Sequence, residues 1–148
     1  MYSAKALLLA LFVATAQAFI NPNVSFVTLR PASTLEAVRD ITNEGDFDKT
    51  VKGAGASLVV VDYSTTWCGP CKVIAPKFEE LSEKYSNAIF LKVIGDASPE
   101  ASKLMKREGV RSVPSFHYFV NGEKIDVVNG ANAEAIEAAI TKHIHTAA

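Results

Sequence analysis

Both cysteines of this 148-residue chain lie in one hexapeptide, Trp67-Cys68-Gly69-Pro70-Cys71-Lys72. A disulfide between them would close a loop of about four residues, which is too short to stabilise a fold through chain entropy. Two thiols at this spacing can instead exchange electrons with the disulfide of another molecule. The hexapeptide therefore predicts redox chemistry and not a structural crosslink.

The segments on either side of the hexapeptide predict an α/β domain. Before it, residues 58–61 form a continuous apolar run that is rich in valine, which is typical of a central strand buried on both faces. After it, apolar residues recur at helical spacing from Ile74 to Tyr85. Pro76 lies inside this segment, and we expect it to kink the helix.

Strands and helices alternate along the rest of the chain. Strands are expected within residues 37–42, 89–94, 115–120 and 123–128, and helices are expected to begin at Asn43, at Ser98 and after Gly130. Asn121-Gly122 predicts a two-residue hairpin turn. This order predicts an α/β fold whose central mixed sheet of about five strands has about four helices on its two faces. The hexapeptide would lie at the carboxyl edge of that sheet.

The positions of the two cysteines predict different roles for them. Cys68 lies where the second helix begins, so unpaired backbone N–H groups and the helix dipole favour its thiolate. Cys71 lies one turn further into the helix, and we expect it to be less exposed. Cys68 would therefore attack a target disulfide, and Cys71 would release the reduced target from the mixed disulfide. Gly69 keeps the approach open, and Pro70 makes the turn rigid.

A carboxyl group completes the predicted site. Asp62 ends the buried apolar run, six residues before Cys68. In such surroundings its pKa should be raised, and it could accept the proton of Cys71. The competing interpretation is a solvated strand end. Lys92, in the next strand, could be the charge partner of Asp62 or simply an exposed strand residue.

From about Val38 to Ile144 the chain resembles the thioredoxin family, most of all its plant h-type group. The resemblance rests on Asp62, the hexapeptide, Pro76, Lys92, Val113-Pro114, Gly122 and Gly130. It implies a thioredoxin fold and a thiol-disulfide oxidoreductase that reduces protein disulfides through a redox-active Cys68–Cys71 disulfide.

The resemblance also implies roles for individual residues. Asp62 would be the buried proton acceptor, Lys92 would modulate it, and Pro114 would be a cis proline facing the dithiol. The surface expected to bind targets consists of Trp67, Gly69, Pro70, Val113, Pro114 and Gly130.

The expected partners are other proteins. They are disulfide-containing targets and a thioredoxin reductase, linked either to NADPH or to ferredoxin. Lys and Arg total 15 against 16 Asp and Glu, so the net charge of −1 draws the chain neither to nucleic acid nor to an anionic membrane. We expect a monomer with no cofactor and no bound metal, because a structural zinc site needs four ligands and the chain has two cysteines.

Two other functions stay open on the sequence. Entry into the secretory pathway would suit a disulfide oxidase or isomerase, although Pro70 stands where isomerase-like sites usually hold histidine. Alternatively, a non-catalytic module could use the same surface around Trp67 to hold a partner. The presence of both cysteines and of Asp62 favours the catalytic interpretation.

The first residues have the layout of a signal peptide, which we place at residues 1–18. Lys5 precedes an apolar run from Ala6 to Ala14, and the small-residue exit Ala16-Gln17-Ala18 follows. This run is shorter than the roughly 20 apolar residues that a membrane-spanning helix needs. We therefore expect entry into the secretory pathway and no stable membrane association after the leader is removed.

Residues 19–36 form a second targeting or linker segment. Phe19 to Leu35 contains no Asp or Glu and several hydroxyl side chains, which is typical of organelle transit peptides. The junction Ala16-Gln17-Ala18-Phe19 also resembles the bipartite presequences of algae with complex plastids. We therefore expect a plastid location for the domain formed by residues 37–148, with secretion or the endomembrane lumen as alternatives.

Overall fold

A five-stranded mixed sheet forms the centre of the fold. The computed structural model describes residues 37–145, so both predicted leader segments, 1–18 and 19–36, lie outside the described residues. The strands are β1 (Val38–Asp40), β2 (Val59–Ser64), β3 (Ile89–Ile94), β4 (Ser115–Val120) and β5 (Glu123–Asn129). Their spatial order is β1-β3-β2-β4-β5; the first three run parallel, and β4 and β5 are antiparallel to their neighbours. The predicted mixed sheet is confirmed.

Helices cover both faces of this sheet. They are α1 (Glu44–Gly53), α2 (Gly69–Lys84), α3 (Pro99–Arg107) and α4 (Ala133–Ile144). One apolar core contains side chains of α2 and α4, and the other contains side chains of α1 and α3. None of the helices that the structure describes is long and apolar enough to cross a membrane.

The predicted helix starts and the predicted turn are confirmed. The side chain of Asn43 accepts the N–H of Asp46 at the start of α1, and the Ser98 hydroxyl accepts an N–H in the same way at the start of α3. Asn121 and Gly122 have φ values of 54° and 81°, which a two-residue hairpin turn requires. Helix α2 continues through Pro76, so the proline does not interrupt it.

Strand β2 divides its side chains between the two cores. Val60 packs in the core that contains α2, whereas Val59, Val61 and Tyr63 pack in the core that contains α1 and α3. Because successive side chains of a strand point to opposite faces, Asp62 shares the face of Val60 and is directed towards the α2 side.

Strand β2 is longer than its apolar run predicts. Asp62, which directly follows the apolar run, lies inside β2, paired with Lys92 of β3 and with Phe116 of β4. Pairing with β4 as far as Tyr63 and with β3 as far as Ser64 extends the strand, since it compensates for the weak strand preference of aspartate. All six residues of β2 are buried. The interpretation of Asp62 as a solvated strand end is therefore wrong.

Candidate active site

The dithiol segment begins where β2 and β3 end side by side. Gly95, which follows β3, donates its N–H to the carbonyl of Ser64 at 2.9 Å. Thr66 donates its backbone N–H to Asp96 Oδ1 at 2.9 Å, and its hydroxyl donates to Asp96 Oδ2. These hydrogen bonds hold the segment before Cys68 against the loop after β3. They were not predicted, because nothing in the sequence shows that loops 30 positions apart are neighbours.

Cys68 and Cys71 form a disulfide at the N-terminus of α2, with an S–S distance of 2.09 Å. Cys68 is the N-cap of the helix, and its Sγ accepts the N–H of Cys71 at 3.2 Å. The expected difference in exposure does not appear in the disulfide, since Cys68 is 3% exposed and Cys71 is 4% exposed. Position relative to the helix end distinguishes the two sulfurs, because the helix terminus directs backbone N–H groups at Cys68.

A cavity of about 160 Å³ lies against Cys71. Its walls combine two lysines and three hydroxyl side chains with apolar groups: Ser64, Thr65, Thr66, Cys71, Lys72, Ala75, Lys92 and Ile94. The structure thus brings Lys92 to the same cavity as Cys71, although the two residues are far apart in the sequence.

Asp62 is a buried acid with an unusual proton affinity. It is 1% exposed, and its Oδ1 has no hydrogen-bond partner among residues 37–145. Burial raises the pKa of Asp62 to about 7, although the positive charge of Lys92 acts in the opposite direction. A group of this pKa can both accept and release a proton near neutral pH.

The loop before β4 lies at the same edge of the sheet. The Val113–Pro114 peptide is cis, the geometry that the resemblance implies, and the Gly130 N–H donates to the Pro114 carbonyl at 2.9 Å. Ser115 pairs with Tyr63 of β2, so Pro114 lies beside the carboxyl end of that strand. Pro114 itself is buried and Val113 is half-buried.

The exposed residues of the predicted target-binding surface surround the disulfide. Trp67 is 73% exposed, and Gly69 and Pro70 are exposed as well. Val73, in the first turns of α2, is 78% exposed. Sequence analysis did not identify it as an exposed apolar residue of the helix that carries the dithiol, although its place on the polar side of the helix pattern is a signal that could have done so. Trp67 and Pro70 therefore place exposed apolar side chains directly before and between the two cysteines.

Comparisons with known proteins agree on one family. The family model for thioredoxin matches residues 38–142. Human thioredoxin is 45% identical over 106 residues, which cover 71% of this chain and 97% of the relative. The short form of thioredoxin f from spinach chloroplast is similar in structure, with a TM-score of 0.67, 39% identity and coverage of 72% of this chain and 92% of that chain. A thioredoxin f2, solved in complex with ferredoxin:thioredoxin reductase, has a TM-score of 0.66, 41% identity and coverage of 71% and 93%.

The raised pKa of Asp62 predicts that the oxidised protein loses stability as the pH rises. The ordinary pKa of this carboxyl is 3.8, whereas in the folded protein it is about 7. Between these values the folded state holds more protons than the unfolded state, so the free energy of unfolding falls with rising pH, by roughly a few kcal/mol. We expect Asp62→Asn to match the wild type near pH 4 and to exceed its stability at pH 8.

Urea unfolding of the oxidised proteins from pH 4 to pH 8 measures this difference. Glu79→Gln, which removes an exposed carboxyl from α2, is the matched control and should follow the wild-type curve. If the free energy of unfolding changed with pH in the same way for the wild type and for Asp62→Asn, a raised pKa for Asp62 would be contradicted.

Proposed function

Since the chain belongs to the thioredoxin family, we propose that Cys68 is its attacking thiol and Cys71 its resolving thiol. The protein is a thiol-disulfide oxidoreductase that reduces protein disulfides by dithiol–disulfide exchange at these two cysteines. The division of roles is supported by one contact above all: Cys68 Sγ caps α2 and accepts the N–H of Cys71 at 3.2 Å. A thiolate at Cys68 would keep this donor and the favourable helix dipole.

The proposed reaction has two exchange steps. In the first, the Cys68 thiolate attacks one sulfur of the target disulfide; that S–S bond breaks, and the other target sulfur leaves with the electron pair. In the second, the Cys71 thiolate attacks Cys68 Sγ, and the bond between Cys68 and the target breaks. The target gains two electrons and two protons as a dithiol, and the protein ends as the Cys68–Cys71 disulfide.

Asp62 is proposed to accept the proton that Cys71 loses before the second step. It lies in the β2 strand on the face directed towards α2, and Cys71 is a buried residue of α2. Its pKa of about 7 suits proton transfer near neutral pH. Lys92 lines the cavity that Cys71 also lines, and its positive charge favours the ionised form of Asp62.

Targets are proposed to dock on the surface formed by Trp67, Gly69, Pro70, Val113, Pro114 and Gly130. Trp67 and Pro70 supply exposed apolar area next to the disulfide. The hydrogen bond between Gly130 and Pro114 joins two loops of this surface. Exposed apolar area beside a reactive group is characteristic of a protein-binding site.

Substitution of each cysteine separates the two proposed roles. We expect Cys68→Ser to lose reduction of a model protein disulfide, because no other thiol can attack from the helix terminus. We expect Cys71→Ser to form mixed disulfides with targets that are stable on non-reducing gels, because the resolving sulfur is absent.

Opposite results would overturn these assignments. Undiminished turnover by Cys68→Ser would refute catalysis at the dithiol, whereas absence of turnover by the wild type would favour a non-catalytic binding module. If Cys71→Ser accumulated no mixed disulfide, the division of labour between the two cysteines would be wrong. A measured reduction potential well above that of glutathione would favour the disulfide oxidase alternative.

The electron donor is proposed to be a ferredoxin-linked thioredoxin reductase. Two observations support this choice: a thioredoxin f2 that is 41% identical to this chain was solved in complex with ferredoxin:thioredoxin reductase, and the leader has transit-like features. The plant h-type subtype stays a prediction, because structures of f-type thioredoxins are 39% and 41% identical to the chain.

Direct reduction assays distinguish the two donors. With reduced ferredoxin and its thioredoxin reductase, we expect thiols to appear at Cys68 and Cys71 faster than with NADPH and an NADPH-linked reductase at equal concentration. Cys71→Ser, which cannot form the internal disulfide, is the blank for both reactions. Equal or faster reduction by the NADPH-linked enzyme would contradict the proposal.

The location is proposed to be a complex plastid, reached through the secretory pathway. The signal-peptide layout of residues 1–18 and the acid-free stretch that begins at Phe19 support this route. Secretion and the endomembrane lumen are the competing locations.

A fluorescent protein fused to residues 1–36 tests the location in the source cell. We expect plastid fluorescence for this fusion and cytosolic fluorescence when only residues 19–36 are attached, since the signal peptide is then missing. Phe19→Ala is the matched variant, and we expect this fusion to enter the secretory pathway but not to reach the plastid. Fluorescence of the 1–36 fusion in the medium would eliminate the plastid proposal.

A further inference from the structure

Thr65 carries a hydroxyl that the oxidised site leaves without a partner. Its Oγ1 is buried and makes no hydrogen bond to any of residues 37–145. Buried hydroxyls are nearly always hydrogen-bonded in folded proteins, because an unpaired one loses its contact with water and gains nothing in return. The hydroxyl of Thr65 is therefore available to another state of the site.

Thr65 shares a cavity with the resolving cysteine. It lines the 160 Å³ cavity that Cys71 and Lys92 also line. Its backbone is held there, since the Thr65 carbonyl accepts the N–H of Cys68 at 3.3 Å. This hydrogen bond thus holds the backbone of Thr65 next to the first turn of α2.

The two sulfurs differ in the donors available to them. Cys68 Sγ accepts the N–H of Cys71, whereas Cys71 Sγ accepts no hydrogen bond among the residues that the structure describes. Resolution requires a thiolate at Cys71, and a buried anion without donors is strongly disfavoured. We propose that the Thr65 hydroxyl donates a hydrogen bond to Cys71 Sγ once the disulfide has opened, and that this bond stabilises the resolving thiolate.

This inference rests on the proposed role of Cys71 and adds a group to the second exchange step. Asp62 takes the proton of Cys71, and the Thr65 O–H solvates the sulfur anion without transferring its own proton. The Cys71 thiolate then forms its bond to Cys68 Sγ, and the electron pair of the broken bond leaves on the target sulfur. The hydrogen bond exists only with the disulfide open, so it favours the dithiol over the disulfide.

Two substitutions at Thr65 isolate the hydroxyl. Thr65→Val removes it with little change of shape, and Thr65→Ser keeps it. Reduced protein is mixed with a model protein disulfide, quenched with acid at intervals and run on non-reducing gels. We expect the mixed disulfide to last about tenfold longer in Thr65→Val, as for the loss of one hydrogen bond to a charged group, and close to the wild-type time in Thr65→Ser.

Equilibrium measurements give a second, independent readout. In a glutathione redox buffer, we expect Thr65→Val to shift the equilibrium constant between the dithiol and disulfide forms about tenfold towards the disulfide. This change corresponds to about 30 mV for a two-electron couple. The melting temperature of oxidised Thr65→Val should equal or exceed that of the wild type, because the substitution removes an unpaired polar group. A purely structural role for the hydroxyl would lower that temperature.

The outcomes separate this inference from the function it rests on. Wild-type lifetimes of the mixed disulfide in Thr65→Val, or equal slowing in Thr65→Val and Thr65→Ser, would overturn the role of the hydroxyl. If Cys71→Ser still trapped mixed disulfides in the same experiment, the resolving role of Cys71 would remain supported without a contribution from Thr65. If it did not, the proposed division of labour would fail first.

Discussion

Burial of β2 on both faces is the constraint on which the site depends. Every residue of this strand is buried, and it lies between β3 and β4 with a helical layer over each face. The strand therefore carries Asp62 into the core as part of its own alternation, on the side of α2. It also sets the point at which the chain leaves the sheet and enters the dithiol turn.

The proposed exchange reaction depends on the charged and polar groups that lie around the two buried cysteines. Cys68 has the helix terminus and a backbone donor, whereas Cys71 shares a cavity with Lys92 and Thr65. Because low polarity raises the pKa of Asp62 to about 7, the same burial that opposes charge makes this carboxyl a usable proton acceptor. Burial thus disfavours a thiolate at Cys71 and, in the proposed mechanism, also gives Asp62 the pKa that lets it accept the proton of that thiol.

Local signals predicted the fold well, and the reason is physical. Asn43 and Ser98 cap helices through bonds that reach only three residues along the chain, and Asn121-Gly122 needs only its own backbone to turn. The apolar run alone did not predict the length of β2, because pairing with β3 and β4 places Asp62, opposite Lys92 and Phe116, inside the strand.

The sequence by itself determined the redox dithiol, the order of strands and helices, and the resemblance to thioredoxins, since all three depend on patterns of residues that are near one another in the chain. Only the tertiary structure decided which distant groups meet. It joined Thr66 to Asp96, placed Lys92 and Thr65 at the cavity of Cys71, and buried both cysteines almost equally. These features depend on how strands pair and helices pack across the sheet, and residue spacing along the chain carries no information about such pairings.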